Sequence, residues 1–367
     1  MIFYGKYSYF GRNWRYGEVF GQKVIGFLSV CVTSRKVHKS TDNVTYYQGD
    51  AHNDNFLKSI LKNEKWLAII DFMHYGTEEF KKRYQLLLAN TAQYVFLSSS
   101  RVYAASETPL TEESLRLVDK VADKDFIRSD DYALAKARQE DLLKISGKDN
   151  WTCIRPYMTY DSYRMDLGFF PKELWLYRVL HGKSVLFPLD VASKKTTYTF
   201  GDDVAFCISC LIGNPEAKGN VYQIMQSKQH SWNEIIEIYK KALATKGFSM
   251  NIKYVKSMPL KEPIYIYDRI YNRIFDNSKI NNITGGMEYK DVMEGIPKCV
   301  DEFLSNISFK DIDWKLQAYW DKILKENTSL TEIPGLKHKL EYLSFRYIVS
   351  YVVSKKALHF LKKVIKS

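Results

Sequence analysis

The sequence predicts an α/β fold, a doubly wound parallel sheet with a smaller C-terminal lobe, and three observations carry that prediction. Short β-rich runs alternate with amphipathic helical stretches from about residue 28 onward. The 367 residues, 46% hydrophobic and 26% charged, can bury one large core plus a smaller lobe and are not composed for disorder. Polar residues collect at the carboxyl ends of the predicted strands, where parallel sheets bind their ligands.

The predicted strands are Phe27–Thr33, Val44–Gln48, Trp66–Ile70, Tyr94–Ser98 and Trp151–Arg155. Helical stretches at Asp54–Lys62, Thr77–Asn90 and Asp131–Ser146 lie between them, a spacing that suits parallel strands joined by crossovers. After Pro156 the alternation loosens. A helical stretch at Phe170–His181 leads to a short strand at Ser184–Phe187. Lys195–Phe200 then runs into a helix at Asp202–Ile212, followed by a strand at Asn220–Met225 and a helix at Ser231–Lys246. We expect a first domain over 1–156 with an atypical start at 1–31. A substrate lobe over 157–325 is expected to interleave with the last sheet strands, ahead of a basic amphipathic tail over 326–367.

The net charge of +12 is compatible with phosphorylated ligands, nucleic acid or an anionic membrane. Eight Lys/Arg against three Glu place +5 of it in residues 326–367. There Leu336, Leu340, Leu343, Tyr347, Tyr351, Leu358, Leu361 and Ile365 recur at spacings near three and four. That pattern is expected to be a docking or homodimer helix, with membrane-surface or nucleic-acid contact as the other readings. No apolar run reaches the roughly 18 residues of a membrane span, and no signal sequence is evident. Five scattered cysteines suit a reducing, cytoplasmic compartment. Cys207 and Cys210 form a C-x-x-C inside an apolar helical pattern with no second pair, which reads as core packing, and no metal is expected.

The constellation that can carry chemistry is Tyr132-Ala-Leu-Ala-Lys136. Spacing i, i+4 places phenol and ammonium one turn apart on one helix face. The ammonium favours the phenolate, so the tyrosine can move a proton to or from a substrate hydroxyl while a nicotinamide takes or gives hydride. A serine run precedes it at the end of a strand, in Tyr94-Val-Phe-Leu-Ser-Ser-Ser-Arg-Val-Tyr103, and Trp151-Thr-Cys-Ile-Arg-Pro156 follows.

Strand-S-S-x-x-V-Y, Y-x-x-x-K, strand-R-P, D-D-V-A at Asp202–Ala205 and F-D-x-S-K at Phe275–Lys279 together resemble the extended short-chain dehydrogenase/reductases, the NAD-dependent epimerase/dehydratase group. The resemblance covers roughly residues 28–310 and implies a Rossmann-like fold. It implies Ser99, Tyr132 and Lys136 as the catalytic set, with Lys136 also touching the cofactor ribose. The group's sugar-nucleotide 4,6-dehydratases follow the catalytic Ser/Thr with Asp-Glu, where this chain has Ser100-Arg101. Epimerisation or carbonyl/alcohol redox on a nucleotide sugar is therefore expected rather than dehydration.

For the cofactor, Arg35 and Lys36 end the second strand, where basic residues accommodate a 2′-phosphate, so NADP is expected ahead of NAD. Asp50 and Ala51 match the position that contacts adenine. Asp71, Phe72 and Met73 close the fourth strand against the cofactor, with Asp71 read equally well as a turn or cap residue. Pro156 and Tyr157 are expected near the nicotinamide. The alternative expectation is a catalytically impaired or non-enzymatic nucleotide- or RNA-binding protein on the same fold, which the positive charge and 27 tyrosines would suit.

One departure stands out. A phosphate-binding start needs strand, G-x-x-G-x-x-G and helix within residues 1–20. Met1–Cys31 has glycines at 5, 11, 17, 21 and 26, without that spacing and with no clear apolar strand ahead of them. Codons allowed for Tyr9–Phe20, displaced by one nucleotide, permit Ile-Leu-Gly-Gly-Thr-Gly-Val-Met-Gly-Arg-Tyr-Leu. Trp14 followed by Arg15 forces one of those glycines. We therefore expect the start to be out of frame, with the frame recovered before Thr33 and cofactor binding weakened. Re-reading the gene tests this; an unshifted frame with no alternative glycine loop contradicts it.

Overall fold

The strand–helix alternation closes into one seven-stranded, wholly parallel sheet. The structure is a computed structural model and describes residues 6–11, 29–41, 44–62, 66–258 and 262–348. In chain order the sheet strands are β1 (Lys6–Gly11), β2 (Ser29–Ser34), β3 (Val44–Gln48), β4 (Trp66–Phe72), β5 (Tyr94–Leu97), β6 (Trp151–Pro156) and β7 (Asn220–Ile224). Their spatial order is β7-β6-β5-β4-β1-β2-β3. The direction of winding reverses between β1 and β4, and the crevice at such a reversal is where doubly wound sheets bind ligands.

The two faces of the sheet can be read from residue parity, because successive strand side chains point to opposite sides. Ile69, Tyr94, Phe96, Trp151 and Cys153 lie on one face, in a buried cluster with Leu57, Ile60, Phe80, Leu87 and Leu143. Those last residues come from α1 (Asp54–Leu61), α2 (Thr77–Ala89) and α3 (Tyr132–Lys144). Ala68, Ile70, Val95, Leu97 and Ile154 face the other way, onto Val204, Cys207, Ile208 and Leu211 of α4 (Gly201–Leu211). Each fully buried aliphatic side chain contributes about 1.5–3 kcal/mol. Burial on both faces explains why β4 reads Trp-Leu-Ala-Ile-Ile-Asp-Phe rather than alternating.

Several boundaries move by a residue or two from the sequence expectation. β4 runs on to Phe72, and β6 includes Pro156. The larger correction is β1, since no strand was expected ahead of the glycines. Lys-Tyr-Ser-Tyr-Phe-Gly lacks the aliphatic signature of a buried strand. Its place is set by its neighbours instead, for it pairs with β2 on one side and β4 on the other. Residues 12–28, which make up most of the segment expected to be out of frame, lie outside the described residues.

The chain divides into two units: residues 1–161 with 195–230 and 272–292, and residues 162–194 with 231–271 and 293–367. The first holds the sheet. In the second, Val185–Pro188 pairs in parallel with Ile252–Val255, and helices span Lys172–Leu180, Trp232–Ala244, Trp314–Leu324 and Gly335–Leu343. As far as residue 348, the region expected to be a docking or dimer helix packs within the second unit. Ile333, Tyr342 and Phe345 pack with Tyr177, Trp314 and Ala318, and the Tyr342 hydroxyl donates to buried Asp321 at 2.7 Å. Leu336 and Leu340, expected on the buried stripe, are 72% and 58% exposed. Among the described residues no helix is long and apolar enough to cross a membrane.

Candidate active site

β4, β5 and β6 all end at the same edge of the parallel sheet, and the predicted site residues follow those ends. At the end of β4 the chain turns around Asp71. This fully buried carboxylate accepts hydrogen bonds from the Met73 amide at 2.9 Å, the Tyr94 hydroxyl at 2.7 Å and the Tyr75 hydroxyl at 3.1 Å. Burial pushes its pKa up, against the pull of these bonds and of the Lys136 charge. The Asp71 side chain thus shapes the turn, one of its two expected roles. Phe72 and Met73 are buried beside it.

That turn receives Lys136. α3 starts at Tyr132 because Asp131 caps it, the Asp131 carboxylate accepting from the Ala133 amide at 3.0 Å. One turn on, the Lys136 ammonium is 2% exposed, lies 4.5 Å from the centre of the Phe96 ring and donates to the Met73 carbonyl at 3.4 Å. Burial pushes its pKa down to about 8, opposed by Asp71, Cys153 and Glu140. Tyr132 itself is partly exposed. Its ring stacks on that of exposed His74, with centres 5.1 Å apart, and the Arg101 guanidinium lies 5.1 Å from the ring centre.

β5 delivers the serine run, and each hydroxyl takes a different partner. Ser98 donates to Glu140 at 2.5 Å, and Ser100 donates to the Arg155 carbonyl at 2.8 Å. Ser99 caps the Ser100–Val102 turn, accepting from the Arg101 amide at 3.2 Å, a bond that leaves the Ser99 hydroxyl proton free to donate. Arg101 connects Ser99 to Tyr132, touching the first through its backbone and the second through its side chain.

Behind these residues lies a buried pair absent from the sequence expectation. Arg155 grips Glu140 of α3 through two hydrogen bonds of 2.8 and 2.6 Å, and its guanidinium lies 4.7 Å from the centre of the Tyr103 ring. Burial pushes the Glu140 carboxyl up, but the Arg155 charge and hydrogen bonds, the Ser98 bond and Arg116 outweigh it and hold the group below its ordinary range. His74 and Arg101 were also missed as neighbours of Tyr132. The only signal was the Ser100-Arg101 departure from Asp-Glu, because ring stacking across strands leaves no spacing to read.

The residues expected to meet a cofactor are distributed around the same edge. Arg35 and Lys36 follow directly after β2 and are exposed, with the Lys36 amide bonded to Ser34 Oγ at 3.1 Å. Asp50 is exposed and accepts from the His52 amide at 3.0 Å, while Ala51 is buried. Pro156 ends β6, and the Tyr157 ring packs 5.0 Å from that of Phe275. Cys207 and Cys210 lie on α4, the former fully buried in the sheet core.

No protein-family model matches the sequence, and no curated protein matches it. Solved structures do match. A dTDP-glucose 4,6-dehydratase from Bacillus anthracis in complex with NAD aligns at 16% identity with a TM-score of 0.64, over 82% of this chain and 97% of its own. A UDP-N-acetylglucosamine 4-epimerase from Methanobrevibacter ruminantium, in complex with UDP-N-acetylmuramic acid, gives 16% and 0.64 over 83% and 99%. The fold is that of the sugar-nucleotide epimerases and dehydratases. A UDP-glucose 4-epimerase from Thermotoga maritima with UDP-glucose agrees, at 16% and 0.63 over 83% and 100%. The epimerase/dehydratase fold is also what the Ser-Ser, Tyr-x-x-x-Lys and Arg-Pro motifs resemble.

Proposed function

We propose that this chain is an NAD(P)-dependent sugar-nucleotide epimerase or reductase, with Ser99, Tyr132 and Lys136 as its catalytic set. The observation that supports it most is the seat of Lys136. An ammonium has three donors, and among the described residues the hydrogen bond it makes, to the Met73 carbonyl, is long at 3.4 Å. A buried ammonium so thinly satisfied at the carboxyl end of β4 fits the hydroxyls of a dinucleotide ribose.

Within this reading a bound nicotinamide supplies acceptance and return of hydride. Tyr132 takes the substrate hydroxyl proton on oxidation and gives it back on reduction. Ser99 donates its hydroxyl to the same oxygen and fixes it in place. Lys136 holds positive charge one turn from the phenol and anchors the ribose. Arg35 and Lys36 after β2 suit a 2′-phosphate, which favours NADP. Arg101, where the dehydratases carry an acid, leaves epimerisation or redox as the reaction.

Tyr132→Phe tests the assignment. Turnover should fall by about two to four orders of magnitude with cofactor affinity unchanged. A variant as active as the parent removes Tyr132 from the chemistry, and one that loses cofactor binding makes it a structural residue.

A further inference from the structure

Building on the proposed function, we infer that Arg101 is a specificity-determining anion site, and that the substrate sugar carries a carboxylate on the carbon next to the one that reacts. The first observation is how poorly Arg101 is satisfied. Arg155 is held by bidentate bonds to Glu140, and Arg116 reaches Asp141 at 2.7 Å. Arg101 instead comes no closer than 3.8 Å to Asp131, beyond the 2.7–2.9 Å of a charge-assisted hydrogen bond. The Asp131 oxygen concerned already accepts from the Ala133 amide. The Arg101 Nε is buried without a hydrogen-bond partner among the described residues.

The second observation is what surrounds it. Burial depresses its pKa, Asp131, Tyr132 and Tyr157 oppose the shift, and the Arg273 charge adds to it. Arg273 is itself 1% exposed and donates to the Tyr103 and Ala104 carbonyls at 3.3 and 3.2 Å. A second guanidinium, that of Arg273, thus acts on Arg101, while the Asp131 carboxylate stays 3.8 Å away. A partly desolvated guanidinium whose Nε has no partner among the described residues is suited to an anion, and its planar fork matches a carboxylate.

The third observation is position. The guanidinium lies against the phenol ring, so a bound carboxylate must sit close to the oxygen that Tyr132 serves. A hexuronate, with its carboxylate on the ring carbon adjacent to the oxidised one, has that shape. A neutral hexose would leave the half-buried Arg101 with its distant Asp131 contact alone among the described residues, at a cost the uronate offsets.

Calorimetric titration of the full chain, saturated with NAD+ or NADP+, with UDP-glucuronate and UDP-glucose tests the inference. The uronate should bind about tenfold tighter or more, Arg101→Gln should collapse that ratio to about one, and Arg101→Lys should retain part of it. Equal affinities in the parent chain, or a uronate preference that survives Arg101→Gln, overturns it. If Arg101→Gln weakens both sugars equally, the residue serves the shared diphosphate and the carboxylate assignment falls. Cofactor binding with no uronate preference sinks this inference and leaves the proposed function standing. Loss of cofactor and both sugars sinks the two together.

Discussion

Lys136 and Arg101 both hold positive charge near Tyr132, yet only one of them was visible in the sequence. The spacing from Tyr132 to Lys136 is a helical repeat and can be read directly. Arg101 comes from the end of β5 and reaches the ring only because α3 packs on the turn at Ser100–Val102. Asp71 shows the same limit in another form. Its place at a strand end was legible, whereas its bonds to Tyr75, Tyr94 and the Met73 amide depend on which rings share its face of the sheet. Lys136 also sets a pH dependence. With its pKa pushed down to about 8, the group is charged below that pH and neutral above it. Under the proposed function, kcat/KM should therefore fall as pH rises through about 8. Lys136→Arg, charged throughout, should move that limb to higher pH; an unchanged profile would show that the lysine charge is not used.

At the scale of the element, α3 is the part that most needs its partners. Its Glu140 is fully buried against Arg155 of β6, and removing one member of such a pair strands the other charge. Glu140→Ala should cost about 3–5 kcal/mol in denaturant unfolding and should also loosen the seat of Lys136. The sign with pH follows from the depressed Glu140 pKa. Its contribution is complete above the unfolded carboxylate value and is lost as pH falls through the lower folded value. The Glu140→Ala variant should therefore lose less stability on acidification than the parent chain, and parallel acid-unfolding curves would contradict this. Helices and aliphatic strands were legible because periodicity and burial agree in them. β1 was not, since its aromatic and polar residues are held in the sheet by β2 and β4. It ends at Gly11, which is also the first glycine of the displaced reading frame.

At the scale of the whole molecule, strand order gives the clearest agreement between sequence and structure. Alternating strands and helices predicted a doubly wound parallel sheet, and the order β7-β6-β5-β4-β1-β2-β3 is one. The C-terminal region was harder to read. Its leucine spacing suggested one continuous amphipathic face, but Ile333, Tyr342 and Phe345 find the core while Leu336 and Leu340 stay outside. Periodicity locates a helix and does not choose between two apolar faces. Under the proposed function the net charge of +12 suits two phosphorylated ligands, and the carboxyl edge of the sheet is where the dinucleotide should lie. Titrating the full chain with NADH and NADPH, followed by nicotinamide fluorescence, tests that claim most directly. We expect saturable binding in about the micromolar range, tighter for NADPH. Emission unchanged by the protein with either nucleotide would contradict it.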